Sequence, residues 1–189
     1  MTIPQAETEA ALIERAQSGD RNAYGELVRC HHPGVVNVVY RMCGDVELAE
    51  DAAQDAFIQA WLHLSTFRPG TSLRNWLYRI AVNAALDGIR RARPQADLET
   101  LALPDPQAGP EAALLQKERT VAVQQAISAL PEASRSVLVL REYGSLSYQE
   151  IAAALDIPLG TVMSRLNYAR TQLKQALAPQ FTRMEMENV

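Results

Sequence analysis

Cysteine is nearly missing from this chain: Cys30 and Cys43 are the only two. Two thiols build no disulfide framework, which excludes a small cross-linked secreted scaffold and fits a reducing compartment. Long apolar runs are missing too. No stretch reaches the roughly 20 residues that a bilayer-spanning helix needs, and the opening MTIPQAETEA carries no basic-then-apolar signal. A cytoplasmic protein with no membrane insertion of its own is therefore expected. No Gly-rich phosphate loop, nucleophile–base pair or metal-ligand spacing occurs, so no catalytic residue, cofactor or metal is expected, and the chain does not read as an enzyme. The run Cys30-His31-His32, with Cys43 beyond it, lacks C-x-x-C or H-x-x-x-H spacing. Two buried cysteines and surface histidines are the simpler expectation. Period-two alternation is absent, which leaves an all-α chain.

A positive charge excess is the last absence. The 189 residues sum to −4, which predicts weak DNA binding by the chain alone, because neutralised phosphates supply most non-specific affinity. The distribution is uneven, however. Residues 1–63 hold ten acids and four arginines. Residues 64–93 hold Arg68, Arg74, Arg79, Arg90, Arg91 and Arg93 against Asp87 alone, six cations to one acid. Such asymmetry suits one face for a protein partner and another for nucleic acid.

The most informative stretch runs from Leu146 to Leu177. Ser147 and Glu150 form a Ser-x-x-Glu capping box. Ile151, Ala152 and Leu155 follow as one apolar face, and Pro158 and Gly160 are expected to break that helix. Thr161 then caps or opens a second helix. Val162, Leu166, Ala169 and Leu173 lie on one stripe of it, with Thr161, Ser164, Arg165, Tyr168 and Gln172 opposite. Two helices set at a sharp angle, with polar groups at the exposed start of the second, suit a DNA major groove. The alternative is an ordinary helical hairpin.

Upstream, Thr8 to Ser18 reads as a short helix ended by Gly19. Asp20 caps the next, which Gly44 closes and Pro33-Gly34 should kink or interrupt. Asp45 opens a third, in which Leu48, Ala52, Ala56, Ile58 and Leu62 supply apolar positions. Glu47, Glu50, Asp51, Gln54 and Asp55 make its acidic face. Helix-dipole compensation explains the acids near its start but not Asp55. After a Pro69-Gly70 turn, Leu73, Leu77, Ile80, Ala81 and Ala84 face a core, while Trp76, Arg79 and Asn83 share another side. Residues 94–110 contain Pro94, Pro104, Pro106 and Pro110 and read as an extended linker. Glu111–Leu130 is helical, Pro131 is expected at the first position of the next helix, and the end of the chain reads as a frayed tail. The expected organisation is two small helical domains, 1–93 and 111–178, with a linker at 94–110 and a tail at 179–189.

Three blocks carry a family resemblance. GDVELAEDAAQDAFIQAW, FRPGTSLRNWLYRIAVNAALDGIRR and AISALPEASRSVLVLREYGSLSYQEIAAALDIPLGTVMSRLNYARTQL resemble, in that order, regions 2.1–2.2, 2.3–2.4 and 4 of the extracytoplasmic-function (ECF) sigma factors. The likeness covers Leu12 to Leu177. It implies binding to core RNA polymerase through Glu47, Asp51, Gln54 and Asp55. It implies recognition of the promoter −10 element as it melts: Phe67 stacking on or lining a pocket for a flipped base, Trp76 against the last paired bases, and Asn83 hydrogen-bonding. Arg68, Arg74, Arg79, Arg90 and Arg91 would take phosphates. A stacked base is worth about 1–3 kcal/mol, which helps offset unpairing. Phe67 and Trp76 also suit ordinary core positions, and Asn83 a structural hydrogen bond.

In the second domain the resemblance implies that Gly160, Thr161, Met163, Ser164, Arg165 and Tyr168 face the −35 element. Arg165 is the candidate for a base edge, since its fork binds guanine bidentately. Family members often carry Lys or Arg where Met163 stands. The implied partners are core RNA polymerase, promoter DNA and an anti-sigma factor; the linker acids Asp97, Glu99 and Asp105 would mimic nucleic acid. Two other readings stay open: a sigma-like decoy for an anti-sigma factor, and a stand-alone helix-turn-helix regulator.

Overall fold

The computed structural model describes residues 8–68, 70–92 and 110–187, with side chains placed over 8–68, 70–91 and 118–178. The proposed linker up to residue 109, with its acids, lies outside the described residues, and Pro110 opens a helix. Those described form eight α-helices and one 3-10 turn, with no strand among them. In chain order they are α1 (Glu9–Gln17), α2 (Arg21–Cys43), α3 (Val46–His63), the turn Leu64–Thr66, α4 (Leu73–Ala92), α5 (Pro110–Ser128), α6 (Glu132–Glu142), α7 (Tyr148–Leu155) and α8 (Leu159–Glu187).

Side-chain caps start five of these helices. Thr8, Asp20, Asp45, Ser72 and Ser147 each accept a backbone N–H of the first turn, which satisfies donors a helix start leaves orphaned. Gly44, at φ 77°, closes α2 in the left-handed conformation that glycine tolerates at least cost.

Helix α2 runs unbroken through Pro33-Gly34, against the expectation of an interruption. Gly34 serves packing instead: a Cβ there would lie 2.7 Å from the Tyr78 hydroxyl of α4. The first bundle packs α2, α3 and α4 around Leu27, Val38, Val39, Met42, Leu77 and Val82, all 3% exposed or less. Helix α3 differs from its sequence reading. It buries a stripe of Ala49, Ala52, Ala53, Ala56, Phe57 and Ala60 and turns Ile58 and Leu62 outward, 49% and 63% exposed. Small residues let α3 lie close to its neighbours, so the larger aliphatics are not the ones enclosed.

The second bundle buries Val137, Leu138, Val139, Leu140, Leu146, Ile151, Val162, Leu166 and Ala169. Four boundaries differ from the sequence reading. Pro131 caps α6 from outside rather than occupying its first position. Helix α7 ends at Asp156, which takes the left-handed conformation (φ 52°). Helix α8 starts at Leu159, so Gly160 and Thr161 lie in its first turn. It continues to Glu187 through the stretch read as a tail.

The cysteines are also corrected: Cys30 is exposed and Cys43 half-buried. Burial pushes the Cys43 thiol up to about 12. Its thiolate fraction at neutral pH then falls on the order of 1000-fold below that of an ordinary thiol. Iodoacetamide should alkylate Cys30 in minutes while Cys43 stays unmodified until the chain unfolds. Equal rates by peptide mass spectrometry would contradict this environment.

Candidate nucleic-acid interface

Helix α4 divides its residues by period. Leu73, Leu77, Ala81, Val82 and Ala85 point into the first bundle. Arg74, Arg79, Asn83, Arg90 and Arg91 stand exposed on the other side, with Trp76 half-buried between the two faces. Arg68, on the loop before the helix, is exposed as well. The basic face is only lightly neutralised: Arg90 reaches Asp87 at 3.5 Å and Glu132 at 3.7 Å, and Arg91 reaches Asp55 at 3.9 Å. These are long pairs made by exposed arginines and are worth little, so the cations remain available to an anionic partner.

Phe67 is placed differently from the other candidates. It is 5% exposed and packs against Trp76, ring centroids 5.3 Å apart and tilted by 58°. Helix α1 fixes this corner, because Gln17 donates to the carbonyls of Leu64 and Phe67 at 3.0 and 2.9 Å. As placed, the aromatic surface open to a base at this end belongs to Trp76, and Phe67 forms the wall behind it.

On the neighbouring helix α3, Glu47, Asp51, Gln54 and Asp55 are all exposed, and Asp55 adjoins the arginine face at Arg91. Beside them lies a groove of about 560 Å³ lined by Tyr24, Val28, Phe57, Ile58 and Trp61, with Arg21, His32, Glu50, Asp51 and Gln54 contributing polar groups. Tyr24 stiffens it. Its ring meets Trp61 at 4.8 Å, and its hydroxyl donates to the Phe57 carbonyl at 2.5 Å. Burial pushes that phenol up to about 12, so it stays a donor. Sequence reasoning found the acids but missed the groove. The available signal was Trp61 three and four positions after Ile58 and Phe57, in a helix whose core stripe is mostly alanine.

The helix-turn-helix is α7 and α8. Its capping box is formed: Glu150 N–H donates to the Ser147 hydroxyl at 3.2 Å, and the Ser147 N–H donates to the Glu150 carboxylate at 2.7 Å. Those hydrogen bonds hold the Glu150 carboxyl below the usual range, chiefly through the Ser147 backbone. Gly160, Met163, Ser164 and Tyr168 are exposed on the first turns of α8, while Thr161 and Arg165 are half-buried. Arg165 lines a second cleft, of about 720 Å³, which Asn83 and Arg90 of α4 also line. The structure thus brings together Asn83 and Arg165, residues that the sequence placed in separate sites.

Comparison with known proteins gives these surfaces a context. The family "Sigma-70 region 2" matches residues 27–95, and "Sigma-70, region 4" matches residues 120–173. The RNA polymerase sigma-H factor of Pseudomonas aeruginosa is 37% identical over 185 residues, covering 92% of this chain and 95% of that protein. The ECF RNA polymerase sigma factor SigW of Bacillus subtilis is 35% identical over 176 residues, covering 87% and 94%. Among solved structures, CnrH in complex with the cytosolic domain of CnrY is similar with a TM-score of 0.69 at 28% identity, covering 92% of this chain and 99% of that one.

Proposed function

The chain belongs to the ECF sigma factors of RNA polymerase, and from that premise we propose how its surfaces divide the work. The first domain, within residues 1–93, docks on core polymerase through the α3 face and reads the −10 element through α4. The second, within residues 111–178, reads the −35 element through α8. The observation that carries this division is the segregation of charge: acids and an apolar groove along α2 and α3, arginines along α4. The acidic, partly apolar groove of α2 and α3 suits a helical protein surface with basic residues. The arginines of α4 sit on another side of the same bundle and suit phosphates.

On the DNA side, Trp76 offers a π-face to a base at the melting edge, with Phe67 as its backing. Asn83 offers an amide that donates and accepts. Arg68, Arg74, Arg79, Arg90 and Arg91 hold the backbone. In the second domain Thr161 and Ser164 lie in the first turns of α8, the end of a helix that favours an anion, and suit phosphates. Arg165 suits a base edge, and Met163 and Tyr168 offer apolar contact. The chain works without catalytic chemistry of its own, in the cytoplasm, and an anti-sigma factor is the expected inhibitor. Intact Trp76, Asn83 and Arg165 favour this reading over a decoy, which has no use for them.

Run-off transcription with purified core polymerase and a promoter library tests it. The wild-type chain should direct transcripts from a defined promoter class. Arg165→Ala should lower their yield about tenfold, within the 1–3 kcal/mol that a bidentate base contact is worth. A decoy would yield no specific transcript, and a stand-alone regulator would bind its site without polymerase.

A further inference from the structure

Burial sorts the first turns of α8 into two sides. Val162, Leu166 and Ala169 are enclosed. Leu159 and Met163 stand out from the core at 38% and 50% exposure, with Tyr168 further along at 45%. Among the described residues, three of the six large hydrophobics left exposed thus lie at the start of this one helix. Leu159 and Met163 are four apart, so they are neighbours on one face, about 6 Å from each other along the axis. Single exposed apolar side chains are ordinary, but adjoining ones mark a contact surface.

Charge is scarce at this edge. Arg165 is the one cation between Asp156 and Tyr168, and it is half-buried. Arg170, a turn further on, is held by Glu142 at 2.8 Å. Gly160 adjoins Leu159, and a Cβ there would meet nothing within 4 Å. Packing therefore does not require glycine at that place, and the bare backbone lets the helix start come close to a partner.

The edges of the bases in a major groove present hydrogen-bond donors, acceptors and one apolar group, the C5-methyl of thymine. A leucine and a methionine pressed onto the other edges strip water from polar groups and return no hydrogen bond. Over a thymine methyl, both sides of the contact are apolar, and the flexible thioether chain of methionine adapts to its position. On the sigma-factor reading above, which this inference deepens and on which it rests, α8 enters the groove of the −35 element. We propose that Leu159 and Met163 form an apolar ridge that reads thymine methyl groups there, which makes them specificity-determining residues of this chain.

The test uses holoenzyme assembled from the full chain and core polymerase. It first selects −35 sequences from promoters randomised at that element. The selected promoter is then rebuilt with deoxyuridine in place of each −35 thymine in turn, a change that removes only the methyl group. Competition binding at fixed salt measures each duplex. One or two replacements should weaken binding about three- to fourfold, the worth of one buried methyl group. Met163→Ala should weaken binding to the thymine promoter by a similar factor and erase the penalty at one of those positions. Leu159→Ala should do the same at the other. Met163→Leu, which keeps an apolar tip, should retain the penalty. Both side chains are exposed, so circular dichroism should show the helix content unchanged in each variant.

A penalty that persists undiminished in both alanine variants belongs to the DNA alone and overturns the ridge. So does the lack of a penalty at every position, or a selected element without thymine on either strand. Run-off transcription separates the two levels. Where any of these results accompanies specific transcripts, the ridge alone falls. If the parent directs no specific transcript, the sigma-factor reading falls and the ridge with it.

Discussion

Arg135→Met is expected to destabilise the folded chain by about 3–5 kcal/mol, the range for removing one partner of a buried charged group. The side chain is 8% exposed. It donates to the carbonyls of Ser128, Leu130 and Met42 at 2.5, 2.9 and 2.7 Å. Ser128 and Met42 lie at the C-terminal ends of α5 and α2, where the helix dipoles favour a cation. Methionine fills much of the same volume, so the effect isolates the guanidinium rather than a cavity. Arg135→Lys keeps the charge but not the fork that spans three oxygens, and should recover only part of the loss. Urea unfolding monitored by circular dichroism measures both. A methionine variant within about 1 kcal/mol of the parent would mean that the three carbonyls find other partners at little cost.

Ile58→Glu is expected to weaken core polymerase binding about 30-fold or more while leaving the fold intact. Ile58 is 49% exposed, so its replacement removes little core, and surface changes of this kind stay within about 0.5 kcal/mol of neutral. In the groove beside Tyr24 and Trp61, however, it is the aliphatic group positioned for a partner to desolvate, and truncating such an anchor costs about 2 kcal/mol or more. A buried carboxylate adds its own penalty. Asp55→Asn, at the exposed rim, should change affinity several-fold less and chiefly alter salt dependence. Titrating fluorescent chain with core polymerase gives both values. An Ile58→Glu chain that binds like the parent would remove the groove from the docking surface.

Much of this was legible in the residues. The Ser147–Glu150 box, the Asp20 and Asp45 caps and the Val162–Leu166–Ala169 stripe follow from local chemistry and one period, and the structure places them accordingly. What was not legible depends on partners distant in sequence. Ile58 and Leu62 satisfy a helical period that only the neighbouring helices can break, by favouring a stripe of alanine. Pro33 is a helix breaker by local rules, yet α2 continues through it from Arg21 to Cys43. Gln124 and Arg135 are polar, and composition assigns such residues to the surface. Their burial depends on carbonyls of α2 that no local pattern reveals. Phe67 and Trp76 sat between core and ligand roles, and the structure splits them: one is enclosed, the other half-open.

The end of α2 also sets a timetable. Its carbonyls are completed by groups far downstream, Gln124 lying 83 residues after Arg41 and Arg135 lying 93 after Met42. At roughly 5–20 residues per second, a ribosome takes about 5–20 s to deliver those partners. For that interval the carbonyls at the end of α2 lack those donors, and water must serve them instead. The order of synthesis thus leaves one helix end unfinished until the second bundle is made.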